Sequence, residues 1–189
     1  MDIKDIIASS ISVKKAVLED DKLIDTIKQA CDKIVLMYKN GGKLLLCGNG
    51  GSAADAQHLA AEFSGRYYLD RPALNAEALH VNSSFMTAVS NDFGFDKAYA
   101  RMIEAIGNGK DVLLALSTSG SSPNIIEAIK AAKDINMAVI GLTGEKGGKM
   151  KELCDILINV PSDDTPRIQE SHIMIGHIIC EFVENELFA

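Results

Sequence analysis

No two of the four cysteines in this 189-residue chain stand close enough to form a CxxC knuckle. Cys31, Cys47, Cys154 and Cys180 are scattered, each embedded in apolar or helical sequence, the pattern of reduced buried thiols in a cytoplasm. Positive charge is also scarce. Nineteen Lys and Arg stand against 26 Asp and Glu, a formal net charge of −7, which speaks against non-specific binding to nucleic acid or to an anionic membrane surface. A local cationic or polar anion pocket remains compatible with that balance. No apolar run approaches the roughly 18 residues of a membrane helix. The opening MDIKDIIASS carries Asp2, Lys4 and Asp5 and has no unbroken apolar stretch, so no secretory leader and a cytoplasmic location are expected. Internal repeats, low-complexity tracts and linkers are absent, and residues 1–189 are read as one domain with 1–39 as an N-terminal helical extension. At 47% hydrophobic and 24% charged, the composition supports a sizeable core and excludes disorder.

What is present is an alternation of helices with short apolar runs. Helical periodicity covers 3–19 and 22–39, the second with Leu23, Ile24, Ile27, Ala30, Ile34 and Val35 at three- and four-residue intervals, until Gly41 and Gly42 end it. A strand at 43–48, a helix near 52–65, an extended piece near 74–80 and helical sequence at 84–90 and 95–106 follow. Then come a strand at 111–117, a helix at 123–135 opened by Pro123, and strands at 137–144 and 154–161. The strands are apolar throughout instead of alternating, as expected where helices cover both faces of a parallel sheet. The last segment, 165–187, is apolar over most of its circumference, which predicts burial by several neighbours, including helices of another subunit.

Two loops suit a phosphorylated polyol. Gly48-Asn49-Gly50-Gly51-Ser52-Ala53 joins the first strand to a helix, where small residues admit close backbone approach and free N–H groups face an anion. Gly48, Gly50 and Ala53 also fit a dinucleotide fingerprint, though such an enzyme would need more chain for a substrate domain, and a plain structural turn is a third reading. The second loop, Ser117-Thr118-Ser119-Gly120-Ser121-Ser122 before Pro123, places five hydroxyls at another strand end. Both loops fall on the carboxyl edge of one sheet, which puts a ligand crevice there.

A third constellation involves His58 and Glu62, four apart on one helix face, and Gln169 and His177, eight apart on the terminal helix, roughly 80° round its axis and about 12 Å along it. Two His, one Glu and one Gln form an N/O donor set of the kind zinc accepts. Each element alone is also an ordinary helix-surface contact. Asn91-Asp92 before Phe93-Gly94 reads as a turn or cap that could also hold sugar hydroxyls, and His80 and His172 match no template and are read as structural.

GNGGSAADAQHLAAEF, NDFGFD, LLALSTSGSSPNIIEAI and TPRIQESHIMIGHIICEFVE, in that order, closely resemble the bacterial phosphoheptose isomerases of the sugar isomerase domain superfamily, over essentially the whole chain. The resemblance implies an α/β three-layer sandwich with a five-stranded parallel, flavodoxin-like sheet. It also implies a homotetramer with interface active sites, the N- and C-terminal helices lying in the interface. The implied reaction converts sedoheptulose 7-phosphate to D-glycero-D-manno-heptose 7-phosphate through an enediol, for lipopolysaccharide or capsule. Carried across residue by residue, it implies substrate contacts at Asn49, Gly50, Gly51, Ser52, Glu62, Asn91, Asp92, Ser117, Thr118, Ser119, Ser122 and Gln169. One zinc ion per site would fall on His58, Glu62, Gln169 and His177, and the acid/base pair on Glu62 and His177. Pro166 stands before Arg167 where some members have Asp, so a role of that Asp does not transfer. The rival is a related, non-catalytic protein that binds the replication initiator; the complete His58, Glu62, Gln169 and His177 set argues against it.

Overall fold

A computed structural model describes residues 2–189. Helices α1 (Ile3–Glu19) and α2 (Asp21–Lys39) are separated by Asp20 alone. Its extended backbone breaks the helix, and its carboxylate accepts the first free N–H groups of α2, from Lys22 and Leu23. The chain then runs through β1 (Leu44–Cys47), α3 (Gly51–Ser64), β2 (Ala76–Ala78), α4 (Ser83–Phe93), α5 (Ala98–Ile106), β3 (Val112–Leu116), α6 (Pro123–Asp134), β4 (Ala138–Gly144), β5 (Ile156–Val160) and α7 (Thr165–Phe188). Short 3-10 turns at Phe95–Lys97 and Gly148–Glu152 complete it. The second is all the helix that the β4–β5 crossover has.

The five strands are all parallel, in the order β2-β1-β3-β4-β5. Every residue of β1 and β3 is buried, which explains their uninterrupted apolar sequence. Alternate side chains feed two cores. Leu44, Leu46, Val112, Leu114 and Leu116 pack with α2, α3 and α7 on one face. Leu45, Cys47, Leu113 and Ala115 pack with α5 and α6 on the other. The result is the three-layer α/β sandwich expected from the sequence. The order reverses between β1 and β3, so the loops after these two strands diverge to opposite faces and leave a crevice at their carboxyl ends.

Much of the apolar girth of α7 is covered within its own chain, by α2, α3 and the sheet, with Ile168, Ile175, Ile179 and Val183 buried. Helix α1 also docks on α7 of the same chain through polar contacts: Ser10 Oγ donates to Glu170 Oε2 at 2.6 Å, and Arg167 Nη1 donates to the Ile6 carbonyl at 2.9 Å. The nearly all-round apolar character of α7 therefore reflects first its place as the central helix of one layer. Among the described residues, no helix is long and apolar enough to cross a membrane.

Candidate active site

The glycine loop follows β1. Gly50 holds φ +55° and ψ −121°, a combination restricted to glycine in practice, and this turns the backbone so that α3 can start at Gly51. The serine loop follows β3. Ser117 is buried and its Oγ lies 3.2 Å from Ser122 Oγ and 3.5 Å from Ser119 Oγ; Ser119 is exposed and Thr118 half-buried. Gly120, at φ +62°, sits so close to Gly147 that a Cβ would lie 2.2 Å from the Gly147 carbonyl oxygen. Three hydroxyls thus cluster at the start of α6, where free N–H groups and the helix dipole favour an anion. A cavity of about 260 Å³ opens beside them, lined among others by Thr118, Ser119, Lys146 and Ser162.

A pair of reciprocal amide bonds ties the two loops together. Asn49 Nδ2 donates to Asn124 Oδ1 at 2.9 Å and Asn124 Nδ2 donates to Asn49 Oδ1 at 2.8 Å, with Asn124 buried. Asn124 is a site residue that sequence reasoning missed, because an Asn after the Pro that opens a helix reads as ordinary first-turn sequence. Tyr99 adds a second brace by donating from its buried hydroxyl to the Gly48 carbonyl.

Two turns along α3 lies the other cluster. His58 Nε2 is 3.0 Å from His177 Nε2 on α7 and 3.3 Å from Glu62 Oε1. The two rings lie tilted at 48° with 5.1 Å between centroids, and the Tyr67 ring lies 5.7 Å from that of His177. The His58 side chain is half-exposed. His58 therefore touches two of the other three anticipated donors, Glu62 and His177, through nitrogen and oxygen atoms of the kind zinc accepts. The Gln169 amide lies toward the start of α3, where a Cβ on Gly51 would come within 2.6 Å of Gln169 Nε2. The reason is geometric: α3 and α7 run side by side in the same direction, so Gln169 faces the start of α3 and His177 faces His58. Among the described residues, no three His, Cys, Asp or Glu side chains form a metal cage.

Ser52 is buried in the first turn of α3, while Asn91 and Asp92 are exposed in the last turn of α4. Asn91 Nδ2 donates to the neighbouring Asp92 Oδ1 at 2.8 Å. Sequence reasoning also missed Arg71 and Glu184. These two form an ion pair at 2.9 Å with both side chains buried. Burial alone would push the Glu184 carboxyl up. The N–H groups of Leu69, Tyr67 and Tyr68, together with the Arg71 guanidinium, outweigh that and hold it below the usual range.

Comparison with known proteins places these features in context. Residues 7–144 match the SIS domain family. The chain is 52% identical to the phosphoheptose isomerase of Aneurinibacillus thermoaerophilus over 186 residues, covering 98% of this chain and 94% of that protein. Among solved structures, the phosphoheptose isomerase of Neisseria gonorrhoeae superposes with a TM-score of 0.91 at 42% identity, covering 97% of each chain. That of Francisella tularensis superposes at 0.93 with 39% identity, covering 97% of this chain and 96% of its own.

Proposed function

The chain belongs to the phosphoheptose isomerase family of SIS domains, and from that membership we propose how its residues carry out the family reaction. It is an aldose–ketose isomerase, converting sedoheptulose 7-phosphate to D-glycero-D-manno-heptose 7-phosphate. A non-catalytic initiator-binding role is not favoured by relatives of this identity.

One observation carries the assignment of residues. The glycine loop leads into α3, with the serine loop tied to it through Asn49 and Asn124, and His58 lies about 10 Å further along α3, at 1.5 Å per residue over the seven residues from Gly51, with Glu62 and the α7 residue His177 against it. That is a reach suited to an extended seven-carbon chain with its phosphate at one end and its carbonyl at the other. Ser117, Thr118, Ser119 and Ser122 hold the phosphate with hydroxyl and backbone donors. Asn49, held in place by Asn124, and the Gly50-Gly51-Ser52 backbone then orient the sugar, with Gln169 above them.

At the far end, Glu62 takes the proton from C1 of the ketose and returns it at C2, passing through an enediol. His177 gives a proton to the C2 oxygen and accepts the one leaving the C1 hydroxyl, so that no proton is gained or lost overall. His58, Glu62 and His177 would hold a zinc ion, with Gln169 as the fourth family position. Once bound, zinc would supply polarisation of the carbonyl and of the developing enediolate.

The acid/base group is open to solvent in a single chain, and proton transfer at carbon is helped by excluding water. The α1 side chains Ile3, Ile7, Ile11 and Leu18 are exposed at intervals of four, four and seven residues, a stripe that a second copy would cover. We therefore assign a homotetramer whose interfaces complete the sites and bring Asn91 and Asp92 to a neighbour's sugar. A cytoplasmic location and a role in supplying heptose for lipopolysaccharide or capsule follow from the substrate. The test is to incubate the purified protein with sedoheptulose 7-phosphate, then repeat after chelation and after zinc add-back. Aldose formation lost on chelation and restored by zinc is expected; turnover indifferent to chelation would remove the metal, and an inert zinc-loaded protein would remove the substrate assignment.

A further inference from the structure

The acid/base cluster is built from two helices that touch near His58 and His177 but have no covalent link nearby. Something must set their spacing. Glu62 lies in the last turn of α3, and beyond it the chain turns back through residues 65–72. Arg71, in that segment, points inward under the end of the helix. Its Nη2 donates to the Glu62 carbonyl at 2.9 Å and its Nη1 to the Phe63 carbonyl at 2.7 Å, which are two of the carbonyls that a helix leaves free at its end. Its Nε donates to Glu184 Oε2 at 2.9 Å. Glu184 lies on α7 seven residues, two turns, beyond His177, and so faces the same side. Its carboxylate also accepts from the N–H groups of Tyr67, Tyr68 and Leu69 at 3.1, 2.6 and 2.8 Å. This fixes the backbone that lays the Tyr67 ring beside His177.

We propose that Arg71 and Glu184 are positioning residues for the isomerisation: one buried ion pair joins the end of the Glu62 helix to the His177 helix and so sets the separation of the two proton-transfer groups. The proposal rests on the reading of Glu62 and His177 as acid and base. Its chemistry suits the task. A planar guanidinium with several fixed donors can bind helix carbonyls and a carboxylate at once, which a lysine cannot. A bare stabilising role would be served as well by an apolar pair of similar volume.

The experiment compares Arg71→Lys and Glu184→Gln with the unmodified zinc-loaded enzyme, measuring kcat, KM and the pH profile of kcat per folded site. A misplacement of the order of 1 Å at a proton-transfer group can cost up to about 10²-fold. We expect kcat to fall by about ten- to a hundredfold, with KM within about twofold and one limb of the pH profile displaced. A lowered melting temperature with unchanged kcat and pH profile would overturn the proposal. If neither variant folds, Glu184→Asp decides, since it keeps the charge and shortens its reach to Arg71: the same kinetic signature is required, and an unmodified profile overturns the idea. Glu62→Gln and His177→Asn, run alongside, separate the two levels. If these keep full turnover, the acid/base reading fails whatever Arg71 does; if they lose it while the pair variants do not, only the positioning role fails.

Discussion

Acidification should weaken this fold through His172, and the size of the effect can be worked out. The side chain is fully buried on α7, with its Nε2 3.2 Å from the Thr143 carbonyl oxygen at the end of β4 and its Nδ1 without a partner among the described residues. Burial lowers its pKa to about 4 from an ordinary 6.5, with the Thr143 carbonyl opposing only in part. The unfolded chain therefore takes up a proton below pH 6.5, while the folded chain resists until about pH 4. Stability from this residue is complete above pH 6.5, is lost as the pH falls towards 4, and levels off below that. The gap of 6.5 − 4 = 2.5 units corresponds to about 3 kcal/mol at ~1.4 kcal/mol per unit. Glu127, Asp155 and Glu184 have lowered values and act mainly at more acid pH, Asp55 is raised by burial and acts with opposite sign, and exposed groups contribute little. The assay is urea unfolding of the unmodified protein and of His172→Gln, at fixed concentration, from pH 7.5 to 4. The difference between their stabilities cancels the other groups. It should shrink by about 2 kcal/mol between pH 7.5 and 5, the fraction of the full effect reached there. Parallel profiles would refute the burial argument.

Three further outcomes concern the site. Glu62→Gln and His177→Asn should each leave a folded oligomer while lowering kcat by about 10²-fold or more, read by continuous assay of the aldose product. Ser119→Ala with Ser122→Ala should weaken binding of inorganic phosphate and substrate by calorimetry while leaving the melting temperature nearly unchanged, because neither side chain is buried in the core; equal affinities would reduce the loop to a turn. Asn124→Ala leaves the Asn49 amide without its partner and should cost about 1–3 kcal/mol, towards the lower end because Asn49 can turn to water, together with a raised KM.

The legibility of these features divides along physical lines. The sheet was readable because a strand buried on both faces must be apolar at every position, as Leu44–Cys47 and Val112–Leu116 are. The two loops were readable because close backbone approach restricts composition to small residues. The Asn49–Asn124 and Arg71–Glu184 pairs left no such trace. Asn49 and Asn124 are 75 residues apart, and Arg71 and Glu184 113 apart, so nothing in local spacing links them. A Glu in the last turns of a terminal helix reads as a solvated charge, and only the end of α3 arriving beside it makes it a buried acceptor. Gln169 and His177 are eight residues apart, an interval over which a helix advances about 12 Å. With α3 running alongside in the same direction, each turn of α7 meets a different turn of its neighbour: Gln169 meets the glycine loop and His177 meets His58. That parallel pairing gives the site two ends, an anion end at the sheet edge and a proton-transfer end two turns away. Helix α3 alone spaces those ends, with the glycine loop at its start and His58 seven residues on, and the Arg71–Glu184 pair ties the end of α3 to α7, which carries His177.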